Sequence, residues 1–121
     1  MVDGPQGPGI SQRMNRGRIL VVDDDESLRR VTQVQLEQEG YPVATASTAA
    51  EALAALEKAP YDLVITDLKM PGLSGVDLLR RVREEYPEIL VIVVTAYGTV
   101  ESAVEAMKLG AYDYLTKPVN A

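Results

Sequence analysis

Cysteine and histidine are both missing from the 121-residue chain. Without cysteine there is no disulfide framework and no thiolate metal site. Without histidine there is no imidazole-held metal and no Ser-His or Cys-His catalysis. Basic residues are also few. Twelve Lys and Arg against 18 Asp and Glu leave a net charge of −6, which argues against nucleic-acid binding by this domain, since phosphate contacts need clustered cations. No apolar run approaches the roughly 18–20 residues of a membrane span, and the N-terminus lacks the basic-then-apolar pattern of a signal peptide. No Gly-x-x-x-x-Gly-Lys-Ser/Thr run supports a nucleotide loop. The reading is one soluble, cytoplasmic domain, long enough to bury a core without staples.

What the chain does carry is alternation. Residues 1–16 are rich in glycine and proline without hydrophobic periodicity. They read as a disordered leader, natural or a cloning remnant, with Met14 a candidate natural start. From Arg18 onward strand and helix patterns take turns. The first strand is predicted over about 18–23 and the first helix over about 26–39, with Leu28, Val31, Val34 and either Leu36 or Gln35 near its buried stripe and Gly40 just past its end. A weaker strand covers 41–46. Ser47 or Thr48 then caps a helix from Ala49 to about Lys58 that buries Leu53 and Leu56, and Pro60 ends it. The third strand runs over about 62–66, and a turn-rich loop over 67–75 leads to a helix opened by Ser74 or Gly75. That helix carries Val76, Leu79 and Val82 and stops before Pro87; Leu90 to Val94 form the fourth strand. The fourth helix, about 99–109, is predicted to turn Val100, Ala103, Val104 and Met107 inward, with Gly110 closing it and a last strand over about 113–116. Near-continuous β-branched runs imply a parallel sheet covered on both faces. With right-handed crossovers the favoured fold class is α/β, a doubly wound five-stranded parallel sheet in the order 2-1-3-4-5.

Polar residues stand directly behind four of the apolar runs: Asp23 and Asp24, Asp67, Thr95, and Lys117. In a parallel sheet all of them emerge at the carboxyl edge, where open α/β folds bind ligands. Acids at a helix start have an ordinary use as caps, and Asp25 alone meets that need. The acids at 23–26 repel one another, which points to a nearby cation. Hard oxygen donors without His or Cys favour Mg²⁺ over zinc. Asp67 completes a three-carboxylate pocket that is costly unless a cation neutralises it, and carboxylates are known nucleophiles in phosphoryl transfer. The turn at Met70-Pro71-Gly72 places a backbone carbonyl near Lys69 where it completes a metal shell. Lys117, in the bland case a solvated lysine at a strand end, reaches over the same pocket to pair with Asp67 and then with a phosphoryl oxygen. A cis Lys117–Pro118 bond fits the sharp turn there. Thr95 suits a strand as any β-branched residue does, and its hydroxyl stands where it can donate to the same group.

The segments Ile19 to Asp25, Asp67 to Gly72 with Gly75, Val94 to Ala96, and Lys117-Pro118 together resemble the response regulator receiver domain of two-component systems, of the CheY-like kind. The resemblance covers about 18–119. It implies that Asp67 is the phosphoacceptor for a sensor histidine kinase. It also implies that Asp24 is a direct Mg²⁺ ligand, that Asp23 holds the ion through water, and that the Lys69 carbonyl is a further ligand. Thr95 and Lys117 would contact the phosphoryl group, and Tyr114 would be the aromatic switch that turns inward when Thr95 moves. The stretch from Thr95 to Pro118 is similar to the NtrC-type subfamily, whose members carry a sigma-54-interacting ATPase and a helix-turn-helix domain; regulation of transcription through an absent output domain is implied. Receivers normally continue after Lys-Pro with a fifth helix, whereas this sequence stops at Ala121. The expectation is a C-terminally truncated receiver over 17–121, its sheet partly uncovered around strands 1 and 5. An exposed apolar face of that kind favours self-association as a homodimer or a domain-swapped oligomer.

Three rival readings meet the same residues. A flavin-binding electron carrier needs a phosphate loop where Asp23 to Glu26 stand. A turnover phosphatase with an aspartyl nucleophile usually has a second Asp where Lys69 stands. A non-phosphorylated receiver-fold scaffold should have an eroded acid pocket, yet every key position is filled. On this reading the domain is no turnover enzyme; it catalyses only its own phosphorylation and slow dephosphorylation.

Overall fold

The computed structural model describes residues 17–70, 72–96 and 98–117. The leader over 1–16, Pro71, Tyr97, the Lys117–Pro118 bond and the chain after Lys117 lie outside the described residues. Strands and helices alternate: β1 (Ile19–Val22), α1 (Glu26–Gln38), β2 (Val43–Ala46), α2 (Ala49–Lys58), β3 (Leu63–Thr66), α3 (Gly75–Glu85), β4 (Leu90–Thr95), α4 (Val100–Lys108) and β5 (Asp113–Thr116).

Each helix starts where the sequence offers an oxygen to its free N–H groups. Asp25 accepts from the Leu28 amide, Thr48 from Glu51, Ser74 from Asp77 and Thr99 from Ser102. The last two are reciprocal capping boxes, closed by the Asp77 and Ser102 side chains. Gly40 and Gly110, just past α1 and α4, take the left-handed φ of 94° and 103° that lets the chain leave a helix sharply.

The strands pair in parallel in the order β2-β1-β3-β4-β5, as the sequence predicts. Val22 lies beside Thr66, and Thr66 beside Val93, so Asp23 and Asp67 leave the sheet at one level. Thr95 stands one residue higher and Lys117, after the Thr95–Thr116 pair, higher still. The step from β1 to β2 runs one way and the later steps run the other. Right-handed crossovers therefore put α1 on one face and α2, α3 and α4 on the opposite face.

Leu20, Val22, Val64, Thr66, Val91 and Val93 point toward the three-helix face and are all under 2 % exposed. They pack with Ala52 and Leu56 of α2, Leu78, Leu79 and Val82 of α3, and Ala106 of α4. On the α1 face Ile19 and Val21 are buried, whereas Leu63, Ile65, Ile92, Val94 and Leu115 are only half-buried. Cover is thus complete on one face and partial on the other among the described residues.

Two sequence expectations are corrected by the helices at the margins. Leu28, Val31 and Val34 are 41 %, 51 % and 37 % exposed rather than buried. α1 rests on the β1–β2 edge through Arg29, Thr32, Gln33 and Leu36, which leaves its apolar stripe outward. In α4 the exposed apolar residues are Val100, Val104 and Met107, while Ala106 is buried and Ser102, Ala103 and, just past the helix, Leu109 are half-buried. Small side chains let the helix approach the β4–β5 edge closely, which turns its bulkier stripe outward. Among the described residues no helix is long and apolar enough to cross a membrane.

Candidate functional site

The carboxyl edge of the sheet opens into a cavity of about 550 Å³ lined by Asp23, Asp24, Asp25, Leu28, Asp67, Lys69, Met70, Ala96 and Lys117. Its floor is a hydrogen-bonded set. The Asp67 amide extends the β1–β3 ladder by donating to the Val22 carbonyl at 3.0 Å, which fixes where the side chain starts. Asp67 Oδ1 accepts from the Leu68 amide at 2.6 Å and the Lys69 amide at 3.3 Å. Asp67 Oδ2 accepts from Lys117 Nζ at 2.9 Å. Lys117 also donates to Asp23 Oδ2 at 2.7 Å, and Asp23 Oδ1 accepts from the Asp25 amide at 2.9 Å.

One ammonium therefore bridges two buried carboxylates. The side chains of Lys117, Asp23 and Asp67 are 16 %, 9 % and 7 % exposed, so the pairs are shielded from water. Burial by itself pushes the Lys117 pKa down, but the hydrogen bonds and charges of Asp23 and Asp67 outweigh it and hold the group above the ordinary lysine value.

Asp24 is exposed at the rim, and no described residue donates to its carboxylate. Asp23, Asp24 and Asp67 each present one oxygen, all within 4.8 Å of one another. Three hard oxygens beside the Lys117 ammonium suit Mg²⁺, which uses few protein carboxylates and keeps several waters. Among the described residues the lining has no aromatic side chain.

Of the residues singled out in the sequence, Asp23, Asp24, Asp67, Lys69 and Lys117 meet in this cavity. Thr95 is fully buried at the end of β4 and does not line it; the neighbouring Ala96 does. Tyr114 is half-buried on β5 and also stands outside the lining. Sequence reasoning missed Arg29, whose guanidinium donates to the Asp23 carbonyl at 2.7 Å and so pins the β1–α1 turn. A cation on the sheet-facing stripe of a helix, one turn after an acidic run, was the available signal. Met70 and Ala96 carried no comparable mark.

Comparison with known proteins agrees with this geometry. The family model described as the response regulator receiver domain matches residues 19–121. The alginate biosynthesis transcriptional regulatory protein AlgB of Pseudomonas aeruginosa is 46 % identical over 103 residues, 85 % of this chain and 23 % of AlgB. The DNA-binding transcriptional regulator NtrC of Escherichia coli is 40 % identical over 105 residues, 87 % of this chain and 22 % of NtrC. The chain thus spans under a quarter of those relatives. A response regulator receiver domain protein (CheY-like) from Methanospirillum hungatei superposes with a TM-score of 0.82 at 41 % identity, covering 85 % of this chain and 82 % of that one. The chain belongs to the receiver domain family of two-component response regulators, with a CheY-like fold and NtrC-type relatives.

Proposed function

We propose that Asp67 is the phosphoacceptor and that the domain takes its phosphoryl group from the phosphohistidine of a sensor histidine kinase. The observation that carries this reading is the Asp67 carboxylate on the floor of an open acidic cavity, with Lys117 Nζ 2.9 Å away and two further carboxylates beside it. An Asp67 oxygen forms the new P–O bond as the P–N bond to the donor imidazole breaks. Lys117 and the Leu68 and Lys69 amides already stand where negative charge gathers, so catalysis here is positioning and electrostatics.

Mg²⁺ would be held by Asp23, Asp24, Asp67 and the Lys69 carbonyl. When bound it supplies charge neutralisation for the carboxylates and the phosphoryl oxygens. Thr95 contacts the phosphoryl group after a shift of the segment behind it, and Tyr114 turns inward as Thr95 moves, giving a two-state switch biased by one local charge. The module is a signalling domain that catalyses its own modification and resets by slow hydrolysis. Its relatives are transcriptional regulators of which it matches only one part, which supports transcriptional output through a further domain, in the cytoplasm. The exposed apolar residues of α1 and α4 favour self-association, and the net charge of −6 speaks against nucleic-acid binding by the domain itself.

Intact mass after incubation with acetyl phosphate is the direct test. The expected result is a gain of one phosphoryl group with Mg²⁺, none with EDTA, and none in Asp67→Asn. Absence of any gain in the wild type would refute the reading. The metal is tested separately by thermal unfolding. At Mg²⁺ about tenfold above its Kd the native state should gain about 1.4 kcal/mol. Asp24→Asn should lose most of that gain, and an equal gain in the variant would remove Asp24 from the ligand set.

A further inference from the structure

Away from the cavity, β5 and α4 are joined by a pair of hydroxyls. Tyr114 leaves β5 beside Val93, and its Oη lies 2.6 Å from Ser102 Oγ on the first turn of α4. Ser102 Oγ also donates to the Thr99 carbonyl at 3.1 Å and accepts from the Thr99 amide at 3.0 Å. A serine has one proton. Thr99 Oγ1 lies 3.1 Å from the same oxygen, so either hydroxyl can donate in the Ser102–Tyr114 pair. The Tyr114 hydroxyl lies against Gly98: a Cβ there would stand 3.1 Å from Oη and 2.8 Å from Thr116 Cγ2. The ring therefore lies against Gly98, just ahead of the Thr99 cap of α4.

We propose that Ser102 is a positioning residue that, through Tyr114, latches the first turn of α4 to β5 and holds Gly98 and the Thr99 cap in the arrangement of the unmodified protein. Its effect on phosphorylation rests on the reading of Asp67 given above; its geometry does not. The Lys117 amide donates to the Thr95 carbonyl at 2.9 Å, so the lysine over Asp67 and the end of β4 are mechanically joined. A phosphoryl group that draws Lys117 and Thr95 displaces Gly98 and the Thr99 cap and stretches the Ser102–Tyr114 bond. The latch therefore opposes modification. A typical net hydrogen bond shifts such an equilibrium roughly two- to tenfold.

Tyr114→Phe removes only the hydroxyl and leaves the ring and the α4 cap in place, whereas Ser102→Ala also removes half of the capping box. Tyr114→Phe should accept the phosphoryl group from acetyl phosphate roughly two- to tenfold faster than wild type. The double variant should be no faster than Ser102→Ala alone. An unchanged or slower rate in Tyr114→Phe, or additive gains in the double variant, overturns the latch as a brake. Amide NMR of the unmodified proteins tests the contact independently. The Thr99 and Ser102 amides should move in Tyr114→Phe, and unmoved amides overturn the latch whatever Asp67 does. A wild type that takes no phosphoryl group overturns the phosphoacceptor reading and the brake with it, and the amide shifts then decide the contact alone.

Discussion

Lys117→Met should unfold about 3 kcal/mol more easily than wild type at neutral pH without divalent cation, and should be phosphorylated about a hundredfold more slowly. Methionine keeps most of the length and apolar stem, so the variant deletes chiefly the charge. What remains is three carboxylates with oxygens within 4.8 Å and no ammonium between them. Asp23 and Asp67 recover little water, because their side chains are 9 % and 7 % exposed. Breaking a buried pair from one side is costly for this reason, even where the intact pair adds little to stability. Mg²⁺ should narrow the deficit by neutralising the same oxygens. The pH dependence has a definite sign. The folded-state pKa of Lys117 is raised, so its contribution is fully present below the unfolded value of about 10.4 and fades only as pH climbs through the folded value. The wild-type advantage should therefore hold level between about pH 7 and 9 as far as this group is concerned. Urea titrations of both proteins, in EDTA and in Mg²⁺, measure all of this. A deficit below about 1 kcal/mol would mean that the pairs behave as exposed ones.

The residues that build the sheet edge were legible because their signal is local. Ile19 to Val22 and Leu90 to Val94 read as strands from β-branching alone, and residues just beyond such strands must emerge at the same edge. Asp23, Asp67 and Lys117 follow from that rule without knowledge of any contact. Helix orientation was not legible. In α4 two stripes share helical spacing: Val100, Val104 and Met107, and the smaller Ser102, Ala103 and Ala106. Hydrophobicity ranks the first higher, but close approach to the sheet selects the second. α1 misleads in the same way, since Leu28 lines the cavity rim and Arg29 faces inward to hold the Asp23 carbonyl. Thr95 shows a finer limit. Strand counting placed it at the edge correctly, yet whether its side chain or that of Ala96 lines the cavity depends on how the chain leaves β4.

Gly75→Ala should cost about 3 kcal/mol and slow phosphorylation at least tenfold, although Gly75 touches no ligand. Gly75 opens α3, and its amide donates to the Leu68 carbonyl at 2.9 Å, closing the loop that follows Asp67. A Cβ built there falls on the Asp67 carbonyl oxygen, with Leu68 Cα 2.9 Å away. These neighbours are backbone, so no rotamer change relieves the overlap; α3 or the Asp67–Leu68 peptide must move. Either movement disturbs the 2.6 Å bond from the Leu68 amide to Asp67 Oδ1, and with it the direction of the carboxylate. A displacement of order 1 Å at a reacting group is enough to cost a hundredfold in rate. Gly72→Ala is the matched control. Gly72 has a φ of 78° but nothing within 4 Å of its Cβ position, so the substitution should cost only the roughly 1–2 kcal/mol of a left-handed residue and leave the phosphorylation rate near wild type. Chemical denaturation and acetyl-phosphate kinetics on the pair separate space from conformation. If Gly75→Ala proved as mild as Gly72→Ala on both, the close approach of α3 to Asp67 would not be what aims the carboxylate.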